Sequence, residues 1–116
     1  MAEPKRYKVF YCFNALGIEV SAGLAVEMSE AEIYPALFAK LTEDGDFIGL
    51  VDGAGGTLQV LYEASDKTYW VEIPDVPKRG VHGRHFSLEE ATVLFKALPE
   101  AFRVADFPSL EFQSWV

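Results

Sequence analysis

The sequence predicts an α+β domain, with an antiparallel or mixed sheet of five to seven strands and two helices packed on one face. Short segments in which apolar and polar residues alternate recur along the chain, and two segments with helical spacing each follow a helix-capping pattern. With 116 residues, half of them apolar, the chain has the length and the core material of one domain. We therefore expect a single domain over residues 1–116.

Two strands are predicted at the start of the chain. The segment YKVFYCF, residues 7–13, is aromatic and β-branched, which is typical of strands. From Leu16 to Met28 apolar residues occupy every second position, so one face of this segment is predicted to be buried. The segment is long for a single strand, and Gly23 within it marks a bulge or a bend.

The first helix follows a capping pattern in which Ser29 precedes Glu32 by three positions. Pro35 conflicts with a helix that starts directly after Ser29, because a proline inside a helix removes a hydrogen bond and clashes with the preceding turn. The alternative is a start near Tyr34, which places Pro35 in the first turn. The sequence predicts a helix here and leaves its first residue open between these two positions.

The middle of the chain predicts a three-strand antiparallel meander, formed by residues 47–51, 57–64 and 68–73. In its third strand, alternation places Trp70 and Glu72 on the face opposite the apolar one. After a proline-containing loop, VHGRHF is a further extended segment. Ser87 and Glu90 then form a second capping box before a helix, and the tail LEFQSWV alternates like a closing strand.

The glycine-rich segment DGAGG, residues 52–56, raises the question of a phosphate site. A phosphate-binding loop leads into a helix and usually carries a lysine. Here strand-forming residues follow Gly56, and no Lys or Arg occurs between Lys40 and Lys67. The segment is therefore predicted to be a hairpin connection.

The negative charge of the chain serves either solubility or the attraction of a basic partner. Its 18 acidic and 10 basic residues give a formal net charge of −8, which disfavours nucleic acid and anionic membranes as partners. No apolar leader and no apolar run of about 18 residues is seen, so we expect a cytoplasmic protein. Cys12, the single cysteine, is interpreted as a small buried apolar residue.

The acidic residues around the meander are the candidates for a docking surface. They are either ordinary solvated charges or a patch that attracts a basic partner. Trp70 is either covered by another element or serves as the anchor of an interface. The candidate contact residues are Asp44, Asp46, Glu63, Asp66, Trp70, Glu72 and Asp75.

The basic loop around residues 78–85 is an alternative ligand patch, with Arg79, His82, Arg84 and His85 as its candidate residues. Two histidines are too few for a tetrahedral metal site, and at i and i+3 on a strand they face opposite sides. We expect no metal and no cofactor. Because the chain also shows no nucleophile–base motif, we assign no catalytic residue.

The segment from about Phe47 to Trp115 resembles the Imm1-like immunity proteins of bacterial polymorphic-toxin systems. The resemblance is carried by a short strand, the DGAGGTLQV hairpin, an acidic meander with YWVEIP, the HFSLEEATVLFKAL helix and a terminal strand ending in Trp115. It implies a non-catalytic protein that binds and neutralises a cognate toxin domain, often a nuclease. The alternatives are a ligand-binding or enzymatic domain that uses the basic loop, or an accessory subunit that covers a sheet edge in an oligomer.

Overall fold

A computed structural model describes residues 5–115 of the chain. Residues 1–4 and 116, which the single-domain prediction includes, lie outside the described residues. The helices are α1 (Glu30–Leu37) and α2 (Leu88–Lys96). The strands are β1 (Arg6–Phe13), β2 (Ile18–Val20), β3 (Val26–Ser29), β4 (Phe47–Val51), β5 (Thr57–Glu63), β6 (Thr68–Asp75), β7 (Gly80–Phe86) and β8 (Glu111–Ser114).

The strands form one antiparallel sheet in the order β2-β1-β4-β5-β6-β7-β8. The predicted α+β class is confirmed, and the meander continues from β4 through β8 because each of these strands pairs with the next. β1 pairs with β4 on one edge, and both β2 and β3 pair with its other edge. β2 and β3 therefore lie in line along β1.

The eight strands exceed the predicted five to seven. The long alternating segment forms β2 and β3, which are separated by a 3-10 turn at Ala22–Leu24 that contains Gly23. Both short strands pair with β1 in the same alternation, but their apolar side is not buried, contrary to the prediction. Ile18 and Val26 remain 40% and 42% exposed, because these two strands lie at the edge of the sheet, where the helix layer covers them only in part. Gly23 thus marks an interruption of the strand.

Helix α1 begins directly after Ser29, so the alternative start near Tyr34 is wrong. The hydroxyl of Ser29 donates to Glu32 Oε1 at 2.9 Å and makes no cap to the backbone. Pro35 lies inside the helix, at the solvent-exposed side, where water can satisfy the carbonyl that lacks an N–H partner. After eight residues the chain tightens into a 3-10 turn, Phe38–Lys40.

Helix α2 has the predicted capping box, with Ser87 Oγ accepting from the Glu90 N–H and Glu90 Oε1 accepting from the Ser87 N–H, both at 3.1 Å. The two helices pack together on one face of the sheet. Phe38 joins the layers because its ring stacks on Tyr69 at 5.3 Å and contacts Phe95 at 4.8 Å. The core between the layers includes Tyr7, Val9, Ile33, Leu37, Ile48, Leu50, Leu58, Val60, Val71, Ile73, Ala91 and Leu98.

The glycine-rich segment is the predicted hairpin connection between β4 and β5. Asp52 is buried there, and its Oδ1 accepts from the N–H groups of Ala54 and Gly56, each at 2.8 Å. Its Oδ2 accepts from the N–H of Phe102 at 2.7 Å. The backbone donors that a phosphate would need thus bind a carboxylate of the chain itself. Burial alone would raise the pKa of Asp52, but these hydrogen bonds outweigh it and hold the pKa below its usual value.

Candidate functional site on the open face

The second face of the sheet, which no helix of the described residues covers, is called the open face. The strand register places Phe47, Leu61 and Trp70 side by side on it, across β4, β5 and β6. Cys12 on β1 and His85 on β7 extend this row at its two ends. We call Phe47, Leu61 and Trp70 the apolar stripe. Leu61 remains 36% exposed, so the stripe is in contact with solvent.

Two glycines allow aromatic rings to lie close to the sheet beside the stripe. Gly49 and Gly83 occupy the neighbouring row of the open face. A Cβ on Gly83 would collide with the Trp70 ring, and a Cβ on Gly49 would collide with the Phe10 ring. The absence of these side chains keeps the indole of Trp70 half-buried on a face that no helix of residues 5–115 covers.

Two carboxylates border the stripe, and each is held by an aromatic N–H group. Trp70 donates its indole N–H to Glu72 Oε2 at 3.1 Å. His85 Nε2 lies 3.0 Å from Glu63 Oε1, and because an ionised carboxylate only accepts, this nitrogen carries the proton. The imidazole also packs against the Trp70 ring, with centroids 4.9 Å apart. Glu63 and Glu72 are therefore oriented before any partner arrives.

The charge on the open face is one-sided. On β4 to β7 the positions that share this face include Glu63 and Glu72 and no Lys or Arg. Cations of the open face lie on β1, where Arg6 is paired with Glu27 at 2.6 Å and Lys8 stands opposite Val51. The stripe thus has a carboxylate on each side, Glu72 in the row of Gln59 and Glu63 in the row of Thr68.

A depression of about 270 Å³ lies beside the stripe. Phe10, Phe47 and Leu61 supply apolar walls, and Gln59 and Glu72 supply polar ones. The Phe10 and Phe47 rings meet edge to face with centroids 6.2 Å apart. An apolar depression with one carboxylate is suited to bind a side chain, and it brings together no nucleophile and base.

Five of the seven predicted contact residues come together. Trp70, Glu72 and Glu63 lie on the open face, and Glu63 precedes the turn that carries Asp66. Asp44 reaches the same end of the sheet, where its Oδ1 accepts from the N–H of Ala64 at 3.0 Å. These five residues form one surface, which we call the acidic surface.

Asp46 does not belong to this surface, contrary to the prediction. It is fully buried, and its carboxylate accepts from the N–H groups of Asn14, Thr42 and Glu43 at 2.8 to 3.0 Å. Burial alone would raise its pKa, but the three hydrogen bonds outweigh it and hold the pKa below its usual value. Asp46 therefore fixes the loop before β4 and has no free oxygen for a partner.

Asp75 also lies apart from the other acidic residues. It shares the helix-covered face of β6 with Ile73, at the end of the strand away from Glu63. Its Oδ2 is 3.0 Å from His82 Nε2, and this hydrogen bond lowers the pKa of the carboxyl below its usual value. Asp75 thus has a partner within the chain, outside the acidic surface.

The four residues of the basic loop do not form one patch. His82 is buried on the helix-covered face against Phe112, whereas His85 is on the open face, as the i, i+3 spacing predicted. Arg84 follows His82 on the helix side, where it binds Glu90 at 3.0 Å, and Arg79 is exposed in the turn before β7. The alternative ligand patch is therefore split between two faces. His82 is a buried strand residue.

Among residues 5–115, no group of three or more His, Cys, Asp and Glu side chains is arranged to hold a metal ion. In the same range no helix is long and apolar enough to cross a membrane. Cys12 is half-buried on the open face, where its thiol lies 3.5 Å from Asn14 Oδ1.

Sequence reasoning missed Phe10, Phe47 and Leu61 as parts of the site. Leu61 carried a signal, because it is the apolar exception among the polar positions on its side of β5. Phe10 and Phe47 carried none, since an aromatic residue in a strand is as readily explained by the core. Their role depends on the register between β1, β4 and β5.

In comparisons with known proteins, the chain matches no family model, no curated protein and no solved structure.

Proposed function

We propose that this chain is a non-catalytic binding domain that docks a basic protein on its open face. The observation that carries this proposal is the apolar stripe beside two oriented carboxylates, on the face without a covering layer. An exposed apolar strip with a polar border is typical of an interface, and Trp is among the residues that most often anchor one. The carboxylates would pair with Lys and Arg of the partner and speed its association.

The partner that fits the resemblance of residues 47–115 is a bacterial toxin domain, which this chain would neutralise as an immunity protein. The net charge of −8 supports this choice, since domains that act on nucleic acid present basic surfaces. A rigid acidic surface can then occupy such a site in place of the phosphates. The chain would act by binding, with no bond made or broken.

The ligand-binding alternative has less support, because its four residues lie on different faces and three of them bind Asp75, Glu63 or Glu90. The accessory-subunit alternative stays a prediction. It requires a second chain on a sheet edge, whereas the apolar stripe crosses the middle of the sheet.

The test begins with the reading frame next to the gene for this chain. Its product is expressed in a bacterium with and without this chain, growth is followed, and the affinity of the purified pair is measured by calorimetry. We expect this chain to restore growth. Trp70→Ala should weaken binding by about 30-fold or more, the loss typical of an interface anchor, while circular dichroism shows an intact fold.

A matched pair of variants separates the open face from the rest of the surface. Leu61→Asp introduces a charge into the stripe, and Val93→Asp introduces the same charge at an exposed apolar position on α2. We expect only Leu61→Asp to abolish protection. Equal effects of the two variants, or no rescue of growth by the unaltered chain, would reject the proposed function.

A further inference from the structure

The depression beside the apolar stripe has the shape and chemistry to take one particular side chain, an inference that rests on the proposed function. Its walls are the rings of Phe10 and Phe47 and the side chain of Leu61, with Glu72 at the border. Nothing among the neighbouring open-face positions of β4 to β7 neutralises this carboxylate. A complementary side chain therefore has a long apolar stem and a cationic head.

The geometry of Glu72 indicates which kind of cationic head group fits. Its Oε2 accepts the indole N–H of Trp70 at 3.1 Å, which holds the carboxylate beside the Trp70 ring. No described residue bonds Oε1, and a carboxylate offers about four acceptor positions, so two donors can still approach together. A planar fork of two N–H groups matches this arrangement better than the single point charge of an ammonium.

The aromatic wall favours the same head group. Phe47 is only half-buried, so part of its ring faces the depression. A guanidinium is flat and weakly hydrated, and it stacks on an aromatic ring with little loss of hydration, whereas an ammonium holds its water strongly. We propose that the depression binds an arginine side chain of the basic partner, with the methylene stem against Phe10 and Leu61 and the guanidinium on Glu72.

Nuclear magnetic resonance can test the binding of arginine in the depression directly with a small probe. The chain has two tryptophans, Trp70 and Trp115, so the indole N–H region of a nitrogen-correlated spectrum holds two side-chain signals. The Trp70 signal reports on the depression through its hydrogen bond to Glu72, and Trp115 beyond β8 is an internal reference. The probe is N-acetyl-L-arginine amide, added to about 50 mM at constant ionic strength, above the millimolar dissociation constant expected of so small a ligand.

We expect the Trp70 signal to move saturably while the Trp115 signal stays in place. The citrulline analogue, which has the same shape without the charge, should leave both signals unmoved, and the lysine analogue should bind at least about fivefold more weakly. The proposal is overturned by no saturable shift, by equal shifts of both signals, by binding of citrulline equal to that of arginine, or by lysine binding as tightly.

Two charge-neutralising variants on the same face supply the matched control. Glu72→Gln should weaken arginine binding by about tenfold or more, because the charged acceptor is lost. Glu63→Gln removes an equal charge outside the depression, so it should change binding by less than about twofold. Equal losses in the two variants would mean that the probe responds to the general field of the surface, and the arginine site would be rejected.

Failure of the arginine site can be distinguished from failure of the proposed function. If the chain protects against its partner through Leu61 and Trp70 but Glu72→Gln leaves the affinity for that partner and for the probe unchanged, the docking face stands and the arginine site falls. If the probe binds as expected but the neighbouring gene product is not neutralised, the arginine site stands and the immunity function falls.

Discussion

The indole ring of Trp70 lies where a side chain on Gly83 of the adjacent strand would have to stand. The missing Cβ lets the ring settle against the sheet, where its N–H reaches Glu72. Glycine is unfavourable inside a strand, yet Gly83 is the residue that positions Trp70, the largest side chain of the open face. This dependence can be tested by substitution.

Gly83→Ala is expected to displace the Trp70 ring and break its hydrogen bond to Glu72. The Trp70 indole signal should move, and the free energy of unfolding should fall by about 1–3 kcal/mol, as is usual for overpacking. Gly53→Ala is the matched control, since no atom lies within 4 Å of the Cβ it adds. An unmoved Trp70 signal in Gly83→Ala would contradict the packing described here.

Gly80→Ala is expected to loosen β8. A Cβ at Gly80 would collide with the backbone carbonyl of Gln113 and with the Phe112 ring, and a backbone atom cannot turn aside as a side chain can. Amide hydrogen exchange in β8 should accelerate while exchange in β4 and β5 stays slow, because the change is local. Gly23→Ala adds a Cβ in open space and should leave β8 exchange unaltered.

Asp52→Ala is expected to lower the free energy of unfolding by about 2–4 kcal/mol, because three backbone N–H groups lose a charged acceptor. Urea denaturation measures the change. Asp66→Ala removes the same type of side chain from an exposed turn and should cost less than about 0.5 kcal/mol. Similar losses for the two variants would mean that Asp52 does not tie the hairpin to Phe102.

The free energy of unfolding should also fall in acid, because Asp46 and Asp52 become protonated. Hydrogen bonds hold the pKa of both carboxyls below the usual value in the folded chain, so the unfolded chain binds more protons as the pH falls past about 3.9. Their contribution is therefore complete above that pH and is lost as the pH falls through the folded-state pKa values. A variant with both Asp46→Asn and Asp52→Asn should be less stable at pH 7 and show a shallower acid slope. An unchanged slope would be inconsistent with these roles.

Pro35→Ala is expected to stabilise the chain, because an alanine there restores the N–H that the helix lacks. The gain should be roughly 1–2 kcal/mol, after about 0.4–1 kcal/mol is lost by freeing the unfolded chain. Thermal unfolding measures it, with Pro108→Ala, outside any helix or strand, as the control. A lower midpoint for Pro35→Ala would show that the proline suits this helix.

Local patterns predicted the elements that depend on neighbouring residues. Alternation placed Tyr69, Val71 and Ile73 on the buried face and Trp70 on the other, as the structure has them. The capping box at Ser87 and the hairpin after Asp52 were likewise readable, because each is made by side chains within four residues of the backbone they bind. The first residue of α1 was left open because Pro35 disfavours a helix that begins directly after Ser29. The helix begins there all the same, because its residues Ile33 and Leu37 are buried in the core.

The sequence by itself predicted an α+β fold with an antiparallel or mixed sheet, an acidic balance and the residues that share a side within a strand. Only the tertiary structure decided that Asp46 is buried, that the apolar side of β2 and β3 stays partly exposed, and that Phe47, Leu61 and Trp70 meet in one stripe. The physical reason is that alternation is a property of one strand, whereas lateral neighbours are set by the register between strands. That register is set by the packing of the whole core, so it cannot be predicted from the sequence of a single strand.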